Sequence, residues 1–436
     1  MIINFSIKNF RSIKDQITLS FEATKSNDLE DYYIIQPKKG LRLLKLGIIY
    51  GANASGKTTI LQALNFLRDL VLEPLEKKTE KFDFEPYLFD AISKNSSTFF
   101  SLEFIQNRVK YLYEVELNKE TIIKEGLYFH KPNKALVYRR STNVKKQLTE
   151  ITFGSKVKIS KESKSALIGN TLWNNTVLGG YLKTNFESTE FQDVIKWFKI
   201  TLKPIVEPRT GLIPFVSNLI EKKEIKKRNV IEILKKADFG ISDIVLRKEN
   251  KKIDMNLLDF ITKNSILPDK EIDKIKETGE IETLEILLQH AISKSKYLLP
   301  IEDESAGTKR YYEFSGILSL IISEKSILPI DELESSLHPD LVKHFLLTFL
   351  VNSKESQLIA TTHHRELLME KDILRKDVIW FTERKEDCST DLFSLKDFDS
   401  SVIRNTSSIY NAYKIGKLGA VPNLDDYYIE FEDGNN

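Results

Sequence analysis

At 436 residues, with 65 Lys plus Arg against 63 Asp plus Glu, the chain has room for two or three units at roughly 100–200 residues each. The near balance of charge, +2 net, excludes a global positive field for unspecific nucleic-acid binding, so any such contact has to be local. A single cysteine, Cys388, excludes an intramolecular disulfide and suits a reducing cytosol, and no apolar run approaches the ~20 residues that span a bilayer.

The N-terminus carries no basic-then-apolar export signal, so a cytoplasmic protein is expected. IINFSI and ITLSF alternate apolar and polar residues and read as two strands with a turn around Arg11 to Asp15. Residues 28–40 are polar and read as a loop. LGIIYGANASGKTTIL, from Leu46, then fits G-x-x-x-x-G-K-[ST] at Gly51, Gly56, Lys57 and Thr58, the Walker A pattern, in the strand–turn–helix context that the pattern requires. Gly51 and Gly56 let the backbone curl so that its N–H groups point inward, and the helix starting near Lys57 adds its positive end. That concavity suits a polyphosphate, with Lys57 reaching the outer phosphates and the Thr58 hydroxyl ligating Mg²⁺. Leu61, Leu64 and Leu67 continue the helix, and Pro74 with EKKTEK marks its exit.

Between Phe82 and Leu148 the segments FFSLEFI, VKYLYEVEL, GLYFH and ALVYRR predict an antiparallel β lobe with turns at Gln106-Asn107 and Asn118-Lys119. Tyr111 and Tyr113 read as sheet packing, since aromatics populate strands. From about Ser160 to Leu298 helical patterns dominate, the clearest being FQDVIKWFKITL, NLIEKKEIKKRNVIEILKKADF and IETLEILLQHAISKSKYLL. Heptads are not sustained, which predicts a compact helical insertion and not a long coiled-coil arm. LIEKKEIKKRNVIEILKK and KPNKALVYRRSTNVKK are basic. Each reads first as a solvated face and second as a surface for phosphates or an acidic partner.

The remaining chemistry follows Ile301. In ESAGTKRYYEFSGIL small residues, a hydroxyl and free N–H groups crown a long helix, a second anion site that alone reads as an ordinary N-cap from Ser305 or Thr308. SILPIDELESSLHP is an apolar strand ending in Asp331 and Glu332, the Walker B arrangement: the first acid sits near hydrated Mg²⁺ and the second polarises a water for in-line attack. SQLIATTHHREL is an apolar strand ending in Thr361, Thr362 and His363, where an imidazole can hydrogen-bond a terminal phosphate. The register of that strand favours His363 over His364. His130, His290, His338 and His344 have no neighbours at metal-ligand spacing, so no zinc site is expected.

With these stretches together the chain resembles ATP-binding-cassette (ABC) ATPases of the non-transporter branch, which includes structural-maintenance-of-chromosomes heads and overcoming-lysogenization-defect proteins. It is most similar to the bacterial AAA-labelled ATP-binding proteins of anti-phage defence operons. KNFRSIKD, YGANASGKTT, ESAGTKR, DELESSLHP and ATTHH stand in that family's order, and YKIGKLGAVPN resembles its closing segment, for which the residues offer no mechanism. The resemblance implies ATP and Mg²⁺ as ligands. It makes Asn53, Ala54, Ser55, Gly56, Lys57, Thr58 and Thr59 the phosphate loop, Asp331 the metal residue beside Thr58, Glu332 the catalytic base and His363 the switch histidine. Arg11 resembles an N-terminal arginine that approaches the nucleotide. Ser305, Gly307 and Thr308 stand where the ABC signature contacts the phosphate held by a second subunit, with Thr308 in place of the signature glutamine, and Glu334 to His338 would form the D-loop. No Q-loop glutamine is found in the β lobe.

The expected fold is therefore α/β: an ABC-type head with a mixed central sheet, an antiparallel β lobe and an inserted helical domain. Expected boundaries are 1–80 and 299–436 for the two core halves, 81–150 for the lobe and 151–298 for the insertion. The expected function is a Mg-dependent ATPase switch that forms a homodimer or higher oligomer around ATP and controls a separately encoded nuclease or toxin. A DNA-tethering or repair head is the alternative, disfavoured by charge and by the missing coiled coils, and no membrane partner is expected. A built-in nuclease is not expected either, since fewer residues follow His364 than the roughly 100 of a domain and Asp397 and Asp399 sit in a short polar run.

Overall fold

The alternating N-terminal segments form β1 (Ile2–Lys8) and β2 (Ile17–Ser20), paired antiparallel. Residues 28–40, expected as a loop, instead contain a helical turn, Glu30–Tyr33, and a hairpin of β3 (Ile34–Lys38) and β4 (Leu41–Leu44). Their polarity hides two inward anchors, Tyr33 and Ile35, both buried, with the Tyr33 hydroxyl donating to Ile373 O. All six residues of β5 (Leu46–Gly51) are buried, and the helix Lys57–Leu72 that follows buries Ile60, Leu61, Leu64 and Leu67. The computed structural model describes residues 1–252, 269–370, 373–398 and 409–421.

The aromatic segments are β6 (Thr98–Gln106), β7 (Val109–Leu117), β8 (Ile122–His130), β9 (Lys134–Asn143) and β10 (Leu148–Phe153). They share one antiparallel sheet with β1 and β2, in the order β10-β9-β8-β7-β6-β1-β2, so the boundary expected at residue 80 cuts through a sheet. Gln106 pairs with Val109, which moves the first hairpin turn one residue on, to Asn107 and Arg108. Their φ values, 48° and 64°, are those of the two-residue turn that matches strand twist. Tyr111 and Tyr113 pack as expected, against Phe104 and Phe198.

The central sheet contains β14 (Ile327–Ile330), β15 (Gln357–Thr362), β16 (Ile379–Arg384) and β17 (Thr390–Ser394) around β5, in the order β14-β15-β5-β16-β17. The first four positions are parallel and β17 is antiparallel, the mixed sheet that the sequence predicts. Gln357 ties this sheet to the other: its Oε1 accepts from Ile2 N at 2.6 Å while its Nε2 donates to Ile2 O and Leu44 O.

Two compact units emerge, one of 1–208, 324–335 and 350–436, the other of 209–323 and 336–349. The division after Pro208 falls inside the expected 151–298 insertion, whose first part belongs with the β lobe and core. In the second unit the helices Ile213–Glu221 and Lys227–Lys236 occupy the basic amphipathic stretch. IETLEILLQHAISKSKYLL, however, is not helical. It forms β12 (Glu280–Ile292) and β13 (Ser295–Pro300), joined to β11 (Ile241–Lys252) in a three-stranded antiparallel sheet. The stretch carries both periods, and its β-branched Ile281, Thr283, Ile286 and Ile292 find a long partner in β11 that no local window contains. Among the described residues no helix is long and apolar enough to cross a membrane.

Candidate functional site

The strand β5 ends at Gly51, a turn follows, and the helix begins at Lys57. Two glycines are required there by their neighbours. A Cβ on Gly51 would lie 2.3 Å from Thr382 Oγ1; on Gly56, where φ is +98°, it would lie 2.0 Å from Thr390 Oγ1. Small hydroxyl side chains hold the loop: Ser55 Oγ and Thr382 Oγ1 are 2.6 Å apart, and Thr390 Oγ1 donates to Ser12 Oγ, which donates to Thr59 Oγ1. Asn53 and Ala54 are exposed, and Ala54 has φ +60°. Lys57 is buried with its Nζ donating to Gly51 O and Ala52 O, both at 3.0 Å. Gly56→Ala is expected to lower the melting temperature by the equivalent of about 2 kcal/mol, since an L-residue at positive φ alone costs roughly 1–2 kcal/mol before the Thr390 collision. A thermal melt identical to that of the unmodified protein would contradict this packing.

At the end of β14, Asp331 receives hydrogen bonds from two directions. Thr58 Oγ1 donates to its two oxygens at 2.9 and 3.1 Å, and Thr361 Oγ1 donates to Oδ1 at 2.6 Å. The same Thr361 oxygen accepts from Glu332 N at 2.8 Å, and Leu333 N donates to Thr361 O. These bonds hold Glu332 at φ +48°, a left-handed backbone uncommon outside glycine and a place where local strain meets acidic chemistry. Burial pulls the Lys57 ammonium down to about 8, against the opposing pull of Asp331, Glu332 and Glu334.

Beyond the acids, Glu334 Oε2 accepts from Thr362 Oγ1 and Oε1 from His363 N, both at 2.6 Å. His363 is exposed. Partial desolvation and then Lys57 lower the pKa of its imidazole, with Glu334, Glu332 and Asp331 opposing. His364 instead turns toward Glu366, 3.4 Å from its carboxylate. A cleft of about 670 Å³ runs from Gly51, Ala52 and Asn53 past His363 and Arg365 to Tyr413. Its far wall explains the closing segment: the helix Ile409–Lys414 stacks Tyr413 on Phe381 and sets it edge-on to Tyr50, and Glu383 accepts from Ala420 N. The last two residues of YKIGKLGAVPN lie outside the described residues, as does Asp399; Asp397 caps a short helical turn by accepting from Ser394 N.

Arg11, expected at the nucleotide, donates from Nη1 to Gln62 Oε1 at 2.6 Å, on the helix that begins at Lys57. A segment that the motifs do not announce runs beside β14: Leu202 and Val206 bridge to Ile327 and Ile330 in parallel, and Asp331 N donates to Val206 O. It brings Glu207 to the end of the sheet next to Asp331, well outside the β lobe where a Q-loop glutamine is sought.

In the second unit, Ser305 and Ala306 are exposed at the start of the helix Ala306–Ser323. Ser305 Oγ accepts from Thr308 N at 3.0 Å, the N-cap that the spacing predicts. Thr308 is buried and its hydroxyl lies 2.8 Å from Ser305 Oγ, within the cap. Gly307 is half-buried, and a Cβ at that position would lie 3.3 Å from Ser336 O. Ahead of the cap, Glu304 meets His290 of β12 at 2.6 Å, an anchor that a helical reading of that segment conceals.

Among the described residues no group of three or more His, Cys, Asp and Glu could hold a metal ion, which leaves no all-protein cage. Thr58 and Asp331 nonetheless present hard oxygens side by side, the partial set that fits Mg²⁺, an ion that completes its shell with phosphate oxygens and water.

No curated protein matches the chain. Solved structures with similarity to it include the SmcHead bound to the C-winged helix domain of ScpA, at 15% identity over 91% of this chain and 98% of that one, with a TM-score of 0.43. They also include the SMC head domain from Thermotoga maritima, at 13% identity over 90% and 98% with a TM-score of 0.41. An Smc head domain with an extended coiled coil, bound to the C-terminal domain of ScpA derived from Pyrococcus furiosus, matches at 14% identity over 96% and 98%, TM-score 0.38. The family described as "AAA domain, putative AbiEii toxin, Type IV TA system" matches residues 47–370, and the chain belongs to it.

Proposed function

We propose that this protein is a Mg-dependent ATPase switch whose two copies close around ATP and control a separately encoded effector, a nuclease or toxin, in anti-phage defence. One observation carries the reading: Thr58 of the phosphate loop and Thr361 of the histidine strand both donate to Asp331, so loop, acids and His363 converge within a single unit. The family's description names a "putative AbiEii toxin" and a toxin–antitoxin system, which supports a place in a system that pairs this ATPase with a second component.

In this reading the loop N–H groups and Lys57 hold the β- and γ-phosphates of ATP. Lys57 is protonated when it does so, because phosphate charge raises an ammonium that burial alone has lowered. Thr58 and Asp331 would hold Mg²⁺, which when bound neutralises phosphate charge. Glu332 accepts a proton from the attacking water, and His363 donates a hydrogen bond to the γ-phosphate and orients that water. Products are ADP and phosphate. Ser305 and Gly307 of the second copy complete the donor set, since a helix N-terminus with an exposed hydroxyl suits an anion.

The test is complementation between two inactive variants. Lys57→Ala and Ser305→Arg each destroy both sites of a homodimer. Mixed in equal amounts, they form heterodimers with one intact composite site, and about a quarter of unmodified turnover is expected from random pairing of independent sites. Two variants that stay inactive together, although each still folds, would show that the site is not shared between copies.

A further inference from the structure

Resting on the reading above, we propose that Glu334 is a positioning residue for His363, a carboxylate clasp that fixes the acidic turn to the end of the histidine strand so that the two move as one piece. The geometry is specific. One oxygen of Glu334 accepts from the Thr362 hydroxyl and the other from the His363 backbone N–H, each at 2.6 Å. A second bond on the same strand end, from His364 N to Thr362 Oγ1 at 3.0 Å, fixes the threonine that the clasp grips. The turn is fastened at its other end as well, by Thr361, which joins Asp331 and Glu332 to the same strand.

The chemistry follows from where these bonds sit. Glu334 lies two residues after Glu332, and Ser336, two further on, is exposed with φ +64°. A turn pressed by a second copy at 335–338 therefore pulls on Glu334, and Glu334 holds the backbone nitrogen of His363 directly. The clasp thus gives the proposed dimer contact a path of two hydrogen bonds to the imidazole, without passing through the phosphate loop. Charge-assisted bonds of this length are the strong kind, and their loss displaces a group whose contribution depends on its placement.

Substitutions separate the clasp from mere charge. Glutamine at 334 can accept from His363 N through its Oε1 and donate to Thr362 Oγ1 through its Nε2, so Glu334→Gln preserves both links; Glu334→Ala preserves neither. The experiment is single-turnover and steady-state ATP hydrolysis on the full chain, with thermal melts as the folding control. Glu334→Ala is expected to lower kcat about 10–100-fold with KM for ATP within about twofold, the pattern of a group that acts after binding. Glu334→Gln should recover to within about threefold of the unmodified rate. In a His363→Ala background, Glu334→Ala should add almost nothing, because the ring it positions is gone. The proposal is overturned if the double variant loses the product of the two single losses, if Glu334→Ala leaves kcat unchanged, or if Glu334→Gln is as slow as Glu334→Ala. Failure of the underlying site reading shows elsewhere, as undiminished turnover in Glu332→Gln, which leaves the clasp untouched.

Discussion

Glu332→Gln should still bind ATP but hydrolyse it at least about 100-fold more slowly, the usual span for a lost general base. The substitution is close to isosteric, and the bonds that place residue 332 are made by its backbone: Glu332 N reaches Thr361 Oγ1 and Leu333 N reaches Thr361 O. The left-handed backbone at φ +48° is therefore kept, and with it the hydrogen bonds of Asp331 to Thr58 and Thr361. What disappears is the acceptor for the proton of water. Because phosphoryl transfer depends on stabilising charge at placed groups, the variant should stall with ATP bound and accumulate as an ATP-dependent dimer, read by light scattering with and without nucleotide. Turnover at the unmodified rate would remove Glu332 from the role of base.

The parts of this protein that are legible in its sequence are those whose cause is local. Strand, turn and helix from Leu46 onward lie within one short stretch, and the glycines, Lys57 and Thr58 occur at spacings that only a few backbone paths satisfy. The ends of β14 and β15 are legible for the same reason, as apolar runs stopping at acids and at Thr361, Thr362 and His363. Contacts between distant residues leave no local mark. Ser12 meets Thr390 across 378 positions, and the same Thr390 closes the space at Gly56, a second reason for glycine there beyond the local φ of +98° and one that nothing near residue 56 announces. The segment 280–300 shows the opposite failure. Its apolar residues fit a helix as well as a strand, and β11 decides between them from some forty residues upstream by offering a partner. Thr308 is a third kind of case: one position carries two readings, and the N-cap reading, Thr308 N donating to Ser305 Oγ, is the one whose cause is local.

Arg140→Leu is expected to be the most destabilising single change in the β lobe, about 3–5 kcal/mol, because it leaves a buried carboxylate without its counter-ion. The basic stretch KPNKALVYRRSTNVKK reads as surface, yet Arg140 lies fully buried with Glu125 3.6 Å away. The guanidinium also donates to Leu172 O, Trp173 O and Asn175 O, while Glu125 accepts from Tyr138, Tyr113 and Val177 N. One ion pair therefore docks the 172–177 segment onto β8 and β9, and the loss should appear as faster amide exchange there and as an earlier first melting transition. The carboxyl supplies a further signature. Burial raises Glu125 above the usual range even against Arg140, and without Arg140 it rises further. A group whose folded value exceeds its unfolded one, about 4.3 for glutamate, stabilises fully below the unfolded value and loses that contribution as pH climbs through the folded value. The deficit of Arg140→Leu should thus be smallest near pH 4 and widen toward neutrality, whereas Glu125→Leu with Arg140→Leu should lack that added pH dependence. A deficit independent of pH in the single variant would mean that Glu125 is not the group left uncompensated.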